Sequence, residues 1–599
     1  MSAMRVSDVI MDYFVKLGIN DVFMVTGGGA MFLNDAVALN GKLRAVCNHH
    51  EQASAMAAVG YAKYRNSYGA AVLSTGCGST NAITGLLDAW QDNVPCFFVS
   101  GQVKRRETSH NANVPLRQFG VQEANIIKVV DSLTKYAVMI NKPEEILYHL
   151  EKAAFLAVHG RPGPVWIDVP LDMQGATVDI NELKHFDSSE FDDKCDIGES
   201  DLSLIYDLLK ESKRPIIVAG NGVRLGHAVD EFRNFIEKSK IPVAVSYLGV
   251  DFLPSNHPQY VGRMGVKGDR AGNFAVQNAD LVITFGTRLS VAMTGFEYDL
   301  FAREAKIVVV DIDPYEHQKK TVRIDHFINA DVKDLLIRID IEENIQWKNW
   351  GETCKKWRDI WPITLPEHMN DKDGVNKYCF MDVLSKNMNS DSVVVSDAGS
   401  SYYVVSQALK ISNIKQRYIT SGAQADMGFT LPAAIGVCVA RNNHDVIGIT
   451  GDGSFQMNIQ ELQTIAHYKQ PVKLVVWNNH GYLSIRATQN KFFEGREIGT
   501  DEKSGVSFPE CKKIADAYGI HYIKMSNIKE LNSNIKELID FDGPVICEVI
   551  CPENQEIIPT VSSLKLPDGR MVSKPIEDMY PFLEREVFYN NMIVTPVEE

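Results

Sequence analysis

The chain has 599 residues, 45% of them hydrophobic, which is material for several buried cores and for three or four domains. With 61 basic against 76 acidic side chains the formal charge is -15, which argues against a nucleic-acid or anionic-membrane surface but leaves room for a local anion site. The longest apolar runs are strand-sized, Asp8 and Asp12 break the N-terminal apolar period, and the ten cysteines include no CxxC pair, so no membrane span or signal peptide is expected and a reducing cytoplasm is the expected location.

In chain order, Val6, Ile10, Tyr13, Phe14 and Leu17 make one helical face that Gly18 ends, and DVFMV (Asp21–Val25) is a strand running into Gly27-Gly28-Gly29. An alanine-rich helix is predicted over Gln52–Tyr64, then the strand Ala70–Thr75, then a helix leading to PCFFVSG, with PVWIDVP closing the region. Residues 176–200 read as a polar linker. A second unit carries strands in RPIIVAGNG (Arg214–Gly222), Asp280–Gly286 and Lys306–Pro314, and the tryptophan- and charge-rich segment 346–375 reads as a surface crossover. The third unit has strands at Ser392–Asp397, Asp445–Gly453, Val472–Asn479 and Pro544–Val549, and the tail 556–599 has few strand signals. Unbroken apolar strands between helices indicate parallel sheets covered on both faces. The expected organisation is a three-domain α/β chain with domains at 1–175, 190–345 and 376–555 and a C-terminal tail at 556–599, which packs across a neighbouring surface.

The strongest local signal is GDGSF (Gly451–Phe455) followed by NNHGY (Asn478–Tyr482), with Asp452 and Asn479 27 residues apart. A strand ending in glycines sets backbone N–H groups, here those of Gly453 and Ser454, beside the next helix, a good environment for phosphate oxygen. Asp452 offers an anionic oxygen and Asn479 a neutral one to Mg²⁺, with the Gly481 carbonyl, phosphate oxygens and water to complete about six ligands. Upstream, DAGSS (Asp397–Ser401) ends another strand. Gly399 permits close backbone approach, while Ser400 and Ser401 read either as diphosphate contacts or as a plain helix cap. HHEQASAMAAVGYA (His49–Ala62) places Glu51 at the opening of a helix poor in charge, where an isolated glutamate is an electrostatic cap.

The GDG–NN pair closely matches the thiamine-diphosphate binding motif, and the Glu51 stretch resembles the activating-glutamate helix of the same enzymes. The likeness covers nearly the whole chain and is nearest to the acetohydroxyacid (acetolactate) synthase large catalytic subunits. It is carried also by TGGGA (Thr26–Ala30), Gln122-Glu123-Ala124, GRPGPVWIDVP (Gly160–Pro170), GTR (Gly286–Arg288), DIDP (Asp311–Pro314) and MGFTLPAAIG. The resemblance implies that Asp452, Asn479 and the Gly481 main chain ligate Mg²⁺ and that Glu51 hydrogen-bonds the cofactor's pyrimidine. It places Met427 as the apolar wedge that bends the cofactor and a Gly422 carbonyl near the pyrimidine amine. Gly28 and Gly29 would bring N–H groups to the reacting carbon, and Gln122 would bond substrate; a tight turn and an ordinary surface residue are the alternatives. The middle domain reads either as a spacer or as an FAD site in which Gly220, Gly222, Gly286, Arg288 and Asp311 meet the nucleotide. Active sites between subunits are implied, in a homodimer or homotetramer.

Three positions depart from the usual synthase: Leu171 replaces a lysine, Ala292 stands near a missing arginine, and Thr488 falls where a tryptophan is usual. Losing a cation and a large aromatic weakens selection for a small 2-oxo acid. The expected activity is therefore decarboxylation of pyruvate and transfer of its two-carbon unit to a bulky ketone. NNHGYLSIRATQNKFF and SKPIEDMYPFL resemble the flavin-dependent carboligases of branched-sugar (yersiniose) biosynthesis, which would make the acceptor a nucleotide-linked keto-sugar and bring Arg486 to a phosphate or sugar hydroxyl, a solvent-facing arginine being the alternative. The alternatives are acetolactate synthesis from two pyruvates and simple 2-oxo acid decarboxylation.

Overall fold

The computed structural model describes residues 3–191, 195–341, 347–565 and 568–597. Residues 192–194 of the expected linker, 342–345 at the end of the expected middle domain, 346 of the expected crossover, and 566–567 and 598–599 of the tail lie outside them. Three six-stranded sheets, wholly parallel, organise the chain. The first runs in the order Arg44–Cys47, Asp21–Met24, Gly69–Leu73, Cys96–Gln102, Val165–Pro170, Tyr136–Met139. The second runs Tyr260–Arg263, Val243–Val245, Pro215–Ala219, Leu281–Phe285, Lys306–Asp311, His326–Asn329. The third runs Arg417–Thr420, Val393–Ser396, Val446–Gly451, Val472–Asn478, Val545–Ile550, His521–Met525.

Each sheet starts in its middle, steps one way, then turns back past its first strand. The crevice at such a reversal is where doubly wound sheets bind ligands. In the three sheets these crevices fall between the turns 26–30 and 74–78, between 220–222 and 286–288, and between 397–401 and 451–454.

The first and third domains meet along two helices, Glu51–Arg65 and Thr430–Ala440, both rich in small residues. A Cβ on Gly60 would stand 2.6 Å from the Ala433 carbonyl oxygen, and one on Gly436 only 2.0 Å from that of Ala57. The backbones touch, and no larger side chain fits between them. Lys63 extends the junction: its ammonium reaches Asp92 at 2.7 Å, Asp88 at 3.2 Å and the Thr420 carbonyl at 3.0 Å. Asp92 in turn accepts from the Gly422 and Ala423 N–H groups. Burial works against the Lys63 charge, but the two carboxylates outweigh it and raise its pKa.

Two stretches depart from the sequence reading. Within the expected linker, Thr177–Asp179 pairs antiparallel with Ala3–Arg5, and a helix already begins at Glu199. The expected surface crossover holds the helix Lys348–Ile360, whose Trp350, Cys354 and Trp357, with Trp347 before it, pack into the middle-domain core. Their three- and four-residue spacing is a helical stripe that the surrounding charges mask. The tail packs across a neighbouring surface, that of its own chain's middle domain: Ile576, Met579 and Phe588 join that core, and Arg270 and Asn273 bond its carbonyls.

The helix contact makes a direct prediction. Gly436→Ala drives a methyl into the Ala57 backbone, so we expect a loss of about 1–3 kcal/mol, the usual cost of overpacking. Chemical denaturation measures it; unchanged stability would mean that the two helices separate freely.

Candidate active site

The third-domain crevice is built around Asp397, at the end of its strand and fully buried. Its carboxylate accepts from the Ala398 N–H (2.7 Å) and from the hydroxyls of Ser401 (2.6 Å), Thr450 (2.8 Å) and Ser454 (2.6 Å). Burial raises its pKa and these donors oppose the shift. Asp397 thereby ties the turn 397–401 to the turn 450–454. Two predicted diphosphate contacts, Ser401 and Ser454, have their hydroxyls committed inward, and Ser454 also accepts from the Gly428 N–H. What remains for an anion is the Ser400 side chain and the first N–H groups of the helix Gly399–Ala408, which no intrahelical carbonyl satisfies. Gly399 lies at φ +57°, and a Cβ on Gly453 would enter the Tyr482 ring at 2.1 Å, so both glycines are required by geometry.

Asp452 sits at the start of the next short helix, facing the turn after Val472–Asn478. One oxygen accepts from the N–H groups of Asn479 (3.1 Å) and Gly481 (3.0 Å), and the other from that of Gly453 (2.8 Å). Burial raises its pKa, countered by these N–H donors, beginning with Gly481. The Asn479 Nδ2 donates to the Gly481 carbonyl at 2.6 Å. A carboxylate, an amide and a carbonyl are thus held together in one buried turn, and their oxygens are the hard donors that Mg²⁺ takes together with phosphate oxygens. Arg486, expected at a phosphate or sugar hydroxyl, is instead buried under this turn. Its guanidinium donates to the carbonyls of Asn479 (3.2 Å) and Glu553.

At the first-domain crevice, Glu51 opens its helix after His50, whose ring caps Gln52 N–H. The Glu51 carboxylate accepts from Asn81 Nδ2 at 3.0 Å, and a Cβ on Gly78 would lie 3.4 Å from it. Gly29 packs on Thr75, and the Gln122 carbonyl presses on Gly76, where a Cβ would be 2.0 Å away. Gly28 and Gln122 are exposed. The turn 74–78 therefore gathers Glu51, the Gly28-Gly29 turn and the Gln122 loop. No hydrogen bond or ion pair among the described residues joins Glu51 to the Asp452 turn or to the 397–401 turn. The junction between these regions is structural: Glu461 accepts from Asn48 and from the His49 N–H. Met427 is half-buried, and the Gly422 carbonyl already accepts from the Tyr402 hydroxyl at 2.9 Å.

The middle-domain crevice opens into a cavity of about 1000 Å³ lined by Gly220, Gly222, Gly286, Arg288 and Asp311, and reaching Gly422 and Tyr402 of the third domain. The glycines bring two turns into backbone contact: a Cβ on Gly222 would lie 2.5 Å from Gly286 Cα. The Arg288 guanidinium has no hydrogen-bond or ion-pair partner among the described residues. Asp311 is occupied at the mouth by the Asp313 N–H and His317. An elongated dinucleotide with a phosphate for Arg288 fits this space.

Asn81, Asp397 and Tyr402 escaped the sequence reading because each acts through another residue. Only the Ser79-Thr80-Asn81 run after a glycine turn could have flagged Asn81. Of the departures, Leu171 is half-buried and Ala292 and Thr488 are exposed, with Ala292 lining the cavity wall.

Sequence models of thiamine pyrophosphate enzymes match all three domains: the N-terminal TPP binding domain over residues 4–123, the central domain over 202–339 and the C-terminal TPP binding domain over 397–549. Fold and site define a thiamine-diphosphate enzyme that forms carbon–carbon bonds. The chain is 32% identical to the acetolactate synthase large subunit of Lactococcus lactis over 562 residues, 93% of this chain and 94% of that one. It is 30% identical to the isozyme 2 large subunit of Escherichia coli over 94% of this chain and 97% of the relative, and 31% identical to chloroplastic acetolactate synthase 2 of tobacco over 93% and 83%. The chain belongs to the acetolactate synthase large-subunit family. Among the described residues no helix is long and apolar enough to cross a membrane.

Glu51→Gln nearly preserves shape but cannot relay a proton. Turnover should fall by roughly 10²–10⁴-fold with cofactor binding retained. Wild-type exchange of the cofactor C2 proton in the variant would remove Glu51 from the proton path.

Proposed function

We propose that this enzyme decarboxylates pyruvate and joins the two-carbon fragment to a second 2-oxo acid, forming acetolactate from pyruvate alone. The observation that carries this reading is the convergence of Asp452, Asn479 and Gly481 on one buried turn, in a chain alignable nearly end to end with acetolactate synthases. When bound, thiamine diphosphate supplies the electron sink for decarboxylation and bond formation. Asp452, the Asn479 amide and the Gly481 carbonyl would hold Mg²⁺, and the N–H groups of Gly399 and Ser400 would receive the diphosphate. Glu51, held by Asn81, would hold a proton at the pyrimidine N1′, with Met427 packed beneath the cofactor. Because no hydrogen bond or ion pair among the described residues joins Glu51 to the metal turn of its own chain, we assign the two halves of each site to different subunits of a dimer or tetramer.

FAD occupies the middle-domain cavity in this reading, on Arg288 and the Gly220, Gly222 and Gly286 turns, without a net redox role. For the acceptor, Lys267 stands beside Ala292, where the arginine is missing: the N–H of the preceding Val266 donates to the Ala292 carbonyl at 2.8 Å. Lys267 donates to the Ile557 carbonyl at 3.2 Å and lies 5.7 Å from the Tyr403 ring, on the helix that begins the diphosphate crevice. Burial, and then Lys491, lower its pKa to about 8, so its ammonium persists at neutral pH as a partner for an acceptor carboxylate. A second reading, transfer to a bulky ketone such as a keto-sugar, draws on the small exposed side chains at Ala292 and Thr488.

Two measurements test the reading. The purified protein should show an oxidised-flavin band near ~450 nm; colourless protein, fully active and indifferent to added FAD, contradicts the flavin assignment. Pyruvate alone should yield acetolactate by mass analysis. Acetaldehyde as the sole product makes the enzyme a decarboxylase, and product formed only with an added keto-sugar establishes the second reading.

A further inference from the structure

Gly422 is held by all three domains at once. From the first domain, the buried Asp92 carboxylate accepts from the Gly422 N–H at 2.7 Å with one oxygen and from the Ala423 N–H at 2.9 Å with the other. From the middle domain, Leu248 packs against the glycine, where a Cβ would stand 2.6 Å from the leucine Cδ1. From the third domain itself, the Tyr402 hydroxyl donates to the Gly422 carbonyl at 2.9 Å. The turn borders the large cavity, whose wall includes Asp92, Tyr402, Gly422 and Ala423.

The bonds from Asp92 and Tyr402 meet on one peptide group. The Gly422 carbonyl and the Ala423 N–H belong to the same amide, so an anionic acceptor at the N–H shifts electron density toward the carbonyl oxygen. The groups bonded to the Asp92 carboxylate are the Lys63 ammonium at 2.7 Å and the two backbone N–H groups, all of them donors, and they hold it as the anion. A carbonyl oxygen has two lone pairs, of which Tyr402 takes one. The second is an acceptor strengthened by the Asp92 charge and fixed in direction by three separate contacts.

We propose that Asp92 is a positioning residue for the cofactor's amine: it fixes the Gly422 peptide and strengthens its carbonyl as the acceptor of that amine. The proposal rests on the reading that places the pyrimidine amine of thiamine diphosphate at Gly422. Asp92 acts through the Gly422–Ala423 amide and not on the reacting atoms.

Calorimetric titration of the cofactor-free full-length protein, in Mg²⁺, with thiamine diphosphate and with its 4′-deamino analogue tests it. Wild-type protein should bind the amine-bearing cofactor about ten-fold more tightly or better, the worth of one hydrogen bond. Asp92→Asn preserves size and removes the charge, while Lys63 keeps Asp88 and the Thr420 carbonyl as partners. This variant should lose about ten-fold in affinity for thiamine diphosphate yet bind the deamino analogue as the wild type does. Asp92→Glu keeps the carboxylate and should restore most of the discrimination. If the asparagine variant does not fold, Lys63→Gln combined with Asp92→Asn neutralises both partners of the ion pair and is read in the same way. Equal losses on the two ligands would show that Asp92 only supports the fold and would overturn the proposal, as would an unchanged affinity for thiamine diphosphate. Wild-type protein that binds the two ligands equally would overturn the placement of the amine at Gly422, and the proposal with it.

Discussion

The contact on which the rest of the molecule depends is the backbone-to-backbone packing of Glu51–Arg65 against Thr430–Ala440. Gly60 and Gly436 let the helices approach until each would-be Cβ collides with a main-chain carbonyl. That approach fixes the first domain on the third, and with it the direction in which the first residue of one helix, Glu51, faces. Lys63 extends the joint by crossing from the same helix to Asp88, Asp92 and the Thr420 carbonyl. A helix with larger side chains would have packed at ordinary interaxial distance. The two crevices would then have lost their common frame.

On that frame, charge is handled in two different ways. Asp397 is wholly internal, satisfied by four donors, and serves as a bracket between two turns. Asp452 is held by backbone N–H groups alone and remains available as an oxygen ligand. The distinction explains why two aspartates at adjacent strand ends have separate tasks: hydroxyl donors lock the first, while the second sits in a turn whose Asn479 amide donates to the Gly481 carbonyl beside it.

Much of this was legible in the sequence wherever the backbone itself forms the site. Strand-then-glycine patterns located all three crevices, because a parallel strand must end in a turn and only glycine admits the approach found at Gly222 and Gly286. The residues that were misread or missed act at a distance in sequence. Arg486 lies seven residues from the Asn479 carbonyl it holds, and Asn81 lies thirty from Glu51. Nothing local shows whether a charged side chain turns inward. The Trp347–Trp357 stripe failed for another reason, since its lysines and arginines lowered the apparent hydrophobicity of a helix whose inner face is aromatic. The acceptor preference is the least legible property, since the sequence shows which side chains are smaller or uncharged at Leu171, Ala292 and Thr488 but not what stands around them.

In the proposed assembly Glu51 of one chain works with the Asp452 turn of another. Co-assembly of two inactive variants, Glu51→Gln and Asp452→Ala, examines it most directly. In a mixed dimer one of the two shared sites contains both changes and the other contains neither, so carboligase activity should reappear in proportion to the mixed species. Mixed dimers, shown by differential tagging to have formed, that stay as inactive as either parent would place both residues in one chain's site and contradict the account.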